Sequence, residues 1–232
     1  NFKEIPNNGK DDDANGFVDD VSGWNFISSN GKPQDEHGHG THVAGIIGAE
    51  GNNNFGTSGI NWDVFIMPLK FLDKNGSGTT SGGISTILYA ADNGAKVLNA
   101  SWGSSSNSAA LTDALNYAYS KGMITIAAAG NNSANSDKEP IYPAGSDSEG
   151  VIAIASSASD GQLSSFSNFG GISVHLAAPG SNVLSTYLNN TFKRMSGTSM
   201  AAPMASGVAG LLLAMDKNLS ALDLKNGLLN SV

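Results

Sequence analysis

From Val64 onward the chain alternates between short apolar runs and longer stretches with apolar residues at three- and four-residue spacing. The first run, 64–72, leads through a Gly/Ser/Thr turn into a helix-like stretch over 83–93. Residues 96–100 read as a strand and about 109–120 as an amphipathic helix, with 123–129 and 151–155 as further short strands. Short strands that are apolar at nearly every position are buried on both faces. Their alternation with helices predicts βαβ units and a mostly parallel sheet covered by helices on both sides. Two more helices are expected, one opening near His39 and one running from near Ser199 to Met215. Pro203 is tolerated in the second because it falls in the first turn, where backbone N–H groups lack intrahelical partners. Residues 183–195 read as a hairpin centred on Leu188-Asn189-Asn190-Thr191. No repeat, low-complexity tract or linker intervenes, so residues 1–232 are expected to form one α/β domain.

Composition narrows the function classes. Hydrophobic residues make up 40 % of the chain and charged residues 14 %, enough apolar material for a sizeable core. The net charge of −8 and the lack of a basic stripe argue against nucleic acid as a partner. With no cysteine, disulfides, thiol catalysis and cysteine-ligated zinc are excluded. No apolar run approaches the ~20 residues of a membrane span, and the polar Asn1-Phe2-Lys3-Glu4 does not read as a signal peptide.

Three distant segments carry candidate chemistry: His39-Gly40-Thr41-His42-Val43-Ala44-Gly45, Ala127-Ala128-Ala129-Gly130-Asn131, and Gly197-Thr198-Ser199-Met200-Ala201-Ala202-Pro203. A serine hydroxyl becomes a competent nucleophile when a base takes its proton, and imidazole suits that task near neutral pH. Ser199 at a helix N-terminus offers a backbone N–H to a developing oxyanion, and the carboxamide of Asn131 at a strand end offers a second donor. Taken singly, Ser199 reads as a helix cap and Asn131 as a turn residue; it is their joint occurrence with His39 that points to chemistry. Ala201 stands where an α/β-hydrolase elbow needs glycine, which disfavours lipase-like chemistry.

The first and third segments closely resemble the histidine and serine signatures of subtilisin-like serine proteases, and Ala128–Asn131 resembles the family's oxyanion-hole segment. The resemblance covers nearly the whole chain. It implies a three-layer α/β fold and a serine endopeptidase with His39 as general base, Ser199 as nucleophile and Asn131 in the oxyanion hole. Ser101-Trp102-Gly103 and Gly76-Ser77-Gly78 resemble the two strands that flank a bound peptide. Ala129, Gly130 and Tyr142 belong to its binding walls, and a cis Tyr142–Pro143 bond is implied. Polypeptide substrates, a secreted monomer and an inhibitory pro-peptide are expected by the same analogy. Beyond a tolerant primary pocket favouring large apolar residues, substrate preference is left open.

Calcium is the expected cofactor. Asp11-x-Asp13-x-Asn15-Gly16-Phe17-x-Asp19-Asp20 alternates oxygen ligands around a sharp glycine turn, much like the first part of an EF-hand loop. Ser22 replaces the closing glutamate, so a loop-bound Ca²⁺ is the better reading than a helix–loop–helix hand. Gly51-Asn52-Asn53-Asn54-Phe55-Gly56-Thr57 resembles the family's high-affinity calcium loop, with the Asn53 side chain and the carbonyls of Gly51, Phe55 and Thr57 as implied ligands.

The sequence departs from the family in one important respect. No apolar-run-Asp-Ser/Thr-Gly motif precedes the acidic loop, and Asp19, Asp20 and Asp35 do not follow a strand of the right kind. The carboxylate that orients the imidazole is therefore missing, a loss worth roughly 10⁴-fold in turnover for serine proteases, one of this family among them. The expectation is a fragment cut at both ends, since the chain stops in what resembles the penultimate helix. The alternative is an impaired homologue that binds peptides or serves as a scaffold. His37, His39 and His42 with Asp35 or Glu36 also have a spacing compatible with a metallohydrolase, although nothing else supports one. Met204 stands where the family commonly has histidine, and His175 has no assigned role.

Overall fold

The computed structural model describes residues 1–231. The period-two pattern of the apolar runs sets the centre of the molecule. Strands β3 (Val97–Ala100), β4 (Ile124–Ala128), β5 (Val151–Ser157) and β6 (Leu176–Pro179) form a parallel sheet in that order. Ile124, Ile126, Ile152 and Ile154 point to one face, where they meet Ala201, Ala202, Ala205 and Ala209 of helix α4 (Thr198–Met215) and Leu224 and Leu228 of α5 (Ala221–Leu229). Ala127, Val151 and Ala153 point to the other face, against Ile87 of α2 (Thr80–Asp92) and Leu111, Leu115 and Ala118 of α3 (Ala109–Ser120). Successive residues of a strand serve opposite helical layers, which is why these strands are apolar throughout. This is the expected α/β architecture, with helices on both faces of a parallel sheet.

Helix α1 (His39–Gly48) packs on α4 and on a hairpin of β7 (Val183–Tyr187) and β8 (Thr191–Met195), which turns through Leu188–Asn190. Among the described residues α4 alone is long and apolar enough to cross a membrane, which the sequence reading had not recognised. It runs along β3, β4, β5 and β6, and half of it is buried inside the protein, so its apolarity is that of a core helix.

Two expectations needed correction. Of the apolar run 64–72, only Leu69–Lys70 (β2) is a strand, paired in parallel with β1 (Trp24–Asn25). Phe65 is 83 % exposed, and Trp62, Val64, Ile66 and Met67 are also at the surface. The run has apolar composition but lacks the neighbours that would bury it. Strand β6 was not anticipated, because Leu176-Ala177-Ala178-Pro179 is short, low in β-branched residues and closed by proline. It extends the sheet from His175, whose N–H donates to the Ala153 carbonyl and whose Nδ1 accepts from the Ala153 N–H. His175 is thus a structural residue of the β5–β6 ladder.

Candidate active site

His39 is the first residue of α1. The N-cap Gly38 has no side chain to cap the helix, and Asp35 takes over that role. Its carboxylate accepts hydrogen bonds from the N–H groups of His37, Gly38 and Thr41 (2.8 Å each) and from the Thr41 hydroxyl (2.6 Å). Burial pushes the Asp35 carboxyl up, but these four donors outweigh it and hold the pKa at about 2. One turn on, the buried His42 ring faces two carbonyls through Nε2, those of Lys193 (2.9 Å) and Val183 (3.2 Å), which requires the Nε2–H tautomer. Its Nδ1 is buried without a partner. The Ser185 hydroxyl donates to the His42 carbonyl and the Thr186 hydroxyl to the Thr41 carbonyl, so the first turn of α1 is pinned to the hairpin.

The His39 ring is half-buried, and its pKa lies below the ordinary imidazole value. Burial is the main cause, the charges of His37 and His42 add to it, and Asp35 opposes it. Neutral imidazole is the form a general base requires.

Ser199 is the second residue of α4. Its hydroxyl donates to the Ser101 carbonyl (3.3 Å), and the Ser101 hydroxyl donates back to the Ser199 carbonyl (2.9 Å). Ser101 is held in turn by Asn99 Nδ2 at the end of β3. Three residues beyond β4, the Asn131 side-chain carbonyl accepts from the Thr198 N–H (2.8 Å) and the Thr198 hydroxyl (2.9 Å). Thr198 Oγ1 also accepts from the Gly130 N–H, at 3.1 Å. The amide is thereby oriented, with Nδ2 as its unused donor. A methyl group placed on Gly197 would lie 3.6 Å from both Asn131 Nδ2 and Ser199 N, so two donors converge on one small space beside the nucleophile.

Residues 4–232 match the model of the Subtilase family. The chain belongs to the subtilase family. With that comes membership of a family of subtilisin-like serine endopeptidases. It is 42 % identical over 200 residues to thermitase of Thermoactinomyces vulgaris, which covers 86 % of this chain and 70 % of that protein. It is also 42 % identical over 198 residues to the thermophilic serine proteinase of Bacillus sp. (strain AK1), covering 85 % of this chain and 48 % of that protein. A crystal structure of a cold adapted subtilisin-like serine proteinase superposes with a TM-score of 0.81 at 39 % identity, over 91 % of this chain and 73 % of that one.

In this subtilase chain the segments expected to flank a peptide are each held by local contacts. Ser101-Trp102-Gly103 leaves the end of β3, and Trp102 packs edge-on against Phe71 with ring centroids 5.1 Å apart. The turn Gly76-Ser77-Gly78 is held by the Asp73 carboxylate, which accepts from the N–H groups of Asn75 and Ser77. Tyr142 and Ser104 exchange backbone hydrogen bonds of 2.8 and 2.9 Å, and Tyr142–Pro143 is cis. Ala129 is buried, its N–H donating to the Ile154 carbonyl.

Asn168 was missed in the sequence. It is fully buried, its Nδ2 donates to the Ala129 carbonyl (3.0 Å), and its Oδ1 accepts from the N–H groups of Asn132 (2.8 Å) and Ala134 (3.2 Å). It clamps the segment that carries Asn131 from both sides. An isolated Asn 37 residues downstream gives no sequence signal of that role.

None of the other candidate carboxylates orients His39. Asp19 accepts from the N–H groups of Asn8 and Gly9, and the buried Asp20 accepts from Asn1, Asn15 and the Tyr89 hydroxyl. Asp35 is the one carboxylate among the described residues whose charge reaches His39, and both its oxygens are committed to the helix terminus.

The acidic loop folds without flanking helices. Asp11 and Asp13 come together with Glu4, which the spacing pattern did not reveal because it lies upstream of the loop. Asp11 accepts from the Asn15 and Gly16 N–H groups, Asn15 Oδ1 accepts from the Phe17 N–H, and Glu4 accepts from the Asp12, Asp13 and Asp19 N–H groups. Asp13 Oδ1 is buried without a partner, which fits a cation in the cluster. In the second loop Asn53 Oδ1 accepts from the Phe55 N–H, with Asn52, Asn54 and Gly56 in left-handed conformations. Glu50 and residues 52–58 line a recess in this loop, Glu50 adding a carboxylate, while the implied ligand Gly51 lies against the Trp62 ring.

Proposed function

We propose that this chain hydrolyses internal peptide bonds of polypeptides through an acyl-enzyme on Ser199. The convergence of Asn131 Nδ2 and Ser199 N on the space over Gly197 is the observation that carries the reading. An extended substrate lies between Ser101-Trp102-Gly103 and Gly76-Ser77-Gly78, adding backbone pairing to both. The Ser199 hydroxyl turns from the Ser101 carbonyl to His39, which accepts its proton as Oγ bonds to the scissile carbonyl carbon. The carbonyl electron pair moves to oxygen, which is received by the two donors. Collapse breaks the C–N bond, and the proton on His39 passes to the leaving amine. Water then repeats the sequence to release the acid and restore Ser199.

Labelling with a fluorophosphonate probe tests the reading. A stoichiometric adduct mapped to Ser199, lost with casein hydrolysis in Ser199→Ala, is the expected result; proteolysis surviving in Ser199→Ala would end the proposal. A second reading, a homologue that binds peptides but turns them over poorly, draws on the commitment of Asp35 to the helix terminus. It predicts slow labelling and weak hydrolysis with peptide binding intact.

Calcium is assigned a structural role at Glu4, Asp11 and Asp13 and in the loop of Gly51, Asn53, Phe55 and Thr57. The cation there would neutralise clustered carboxylates and tie loops together; it takes no part in bond cleavage. Extracellular location is proposed from relatives, one of which is named the minor extracellular protease Epr of Bacillus subtilis (strain 168). A monomer that meets polypeptide substrates and an inhibitory pro-peptide completes the proposal.

A further inference from the structure

Helix α4 begins with a carbonyl that the helix itself leaves unbonded. Pro203 is the sixth residue of α4, past the first turn in which the sequence reading placed it. Inside a helix a proline withholds the N–H that would bond four residues back, and its ring crowds the carbonyl there. For Pro203 that carbonyl belongs to Ser199, the nucleophile. The Ser101 hydroxyl supplies the missing donor from outside the helix, reaching the Ser199 carbonyl at 2.9 Å. A hydroxyl has one proton to give, and Asn99 decides where it goes. Asn99 Nδ2 donates to Ser101 Oγ at 2.9 Å, so that oxygen accepts on the Asn99 side and keeps its proton for Ser199. Asn99 is oriented in turn by the buried Ser206, about two turns along α4 from Ser199, whose hydroxyl donates to Asn99 Oδ1 at 3.0 Å. Turned over, the amide would present Oδ1 to Ser101 and draw the proton away from Ser199.

We propose that Ser101 and Asn99 are positioning residues for the nucleophile: the Ser101 hydroxyl stands in for the helix bond that Pro203 cannot give, and Asn99, held by Ser206, fixes its direction. The inference rests on the proposed function of Ser199 and adds what keeps that residue in place. The attacking Oγ and the N–H that receives the oxyanion hang from one Cα, and the carbonyl is the third arm on it. A carbonyl fixed from outside the helix therefore steadies both groups that act on substrate. Without the Ser101 proton it stands unpaired against a proline ring, and the first turns of α4 are freer to shift. A displacement of about 1 Å at a reacting group costs about 100-fold in rate, so removing this donor is expected to lower kcat by about 10–100-fold.

The test is a double-mutant cycle on the whole chain, read as kcat on a peptide p-nitroanilide and as the rate of fluorophosphonate labelling. Ser101→Ala is expected to lower both by about 10–100-fold with KM changed by less than about 3-fold, because the backbone that pairs with substrate is kept. Pro203→Ala returns an N–H to the helix for the Ser199 carbonyl, and in that background Ser101→Ala is expected to cost less than about 3-fold. A side chain that only shaped the groove would lose as much in either background. Asn99→Asp keeps the size of the side chain and the acceptor for Ser206, but turns the Ser101 proton toward itself. It is expected to reproduce the Ser101→Ala loss and to be relieved by Pro203→Ala in the same way, with every variant folded by circular dichroism. Equal losses in both backgrounds, or Ser101→Ala and Asn99→Asp as active as wild type, overturn the inference and leave the Ser199 chemistry standing. If wild type is neither labelled nor active, the proposed function fails and this inference falls with it.

Discussion

Asn168→Ala is expected to cost about 2–4 kcal/mol of stability and to lower turnover without contacting substrate. The mutation deletes three hydrogen bonds, of 2.8, 3.0 and 3.2 Å, to a segment held from both sides. Each is worth about 0.5–1.5 kcal/mol net. The Asn132 and Ala134 N–H groups regain water, since both residues are at least partly exposed. Ala129 is 1 % exposed and its carbonyl loses its side-chain partner inside the protein, which adds about 1–3 kcal/mol. The total falls in the stated range because water offsets part of the loss. Urea unfolding followed by circular dichroism measures it as a lower midpoint at constant slope. Asn168→Asp keeps the two acceptor bonds but sets a buried carboxylate oxygen against the Ala129 carbonyl oxygen, 3.0 Å from the position of Nδ2, so it is expected to be at least as destabilising as Asn168→Ala. With the clamp gone Asn131 is held less firmly, and kcat should fall with KM little changed. A loss below about 0.5 kcal/mol in Asn168→Ala would refute the reasoning.

Asp35 has a folded pKa of about 2, below its ordinary 3.8, so its contribution is present above pH 3.8 and lost as pH falls through 2. For this partly exposed group solvent screening leaves about 1 kcal/mol, to be seen as the pH 6 stability difference between wild type and Asp35→Asn that vanishes by pH 2. His39 loses its proton more readily than ordinary imidazole, so the acid limb of kcat/KM should lie below pH 6.5 and move up in His37→Gln, as read in a pH–rate profile. Chelator is expected to lower the melting temperature of wild type and to have a smaller effect on Asp13→Asn, measured by scanning calorimetry; equal shifts would remove the cation from that cluster. Thr79 caps α2 by accepting from the Gly82 N–H, and Thr79→Ala should cost about 1 kcal/mol in urea unfolding.

The parts of the fold legible in the sequence were those in which pattern and environment agree. Helix α3 occupies the expected span because Ser108 caps it and Leu111, Ala114, Leu115 and Ala118 recur at helical spacing toward the sheet. The run 64–72 misled because apolar composition reports a tendency to be buried, and burial also needs a partner surface. His39, Ser199 and Asn131 stand out as candidates because each sits in a local motif. Asn168 and Glu4 act through contacts made between distant segments. No window of sequence around either of them contains the residues they hold.

The reciprocal hydrogen bonds of Ser101 and Ser199 tie two parts of the fold together. The hydroxyl of Ser199 reaches the segment beyond β3, and the hydroxyl of Ser101 reaches back to the first turn of α4. Sheet edge and helix terminus therefore hold one another at this point, and neither serine can shift without disturbing the other.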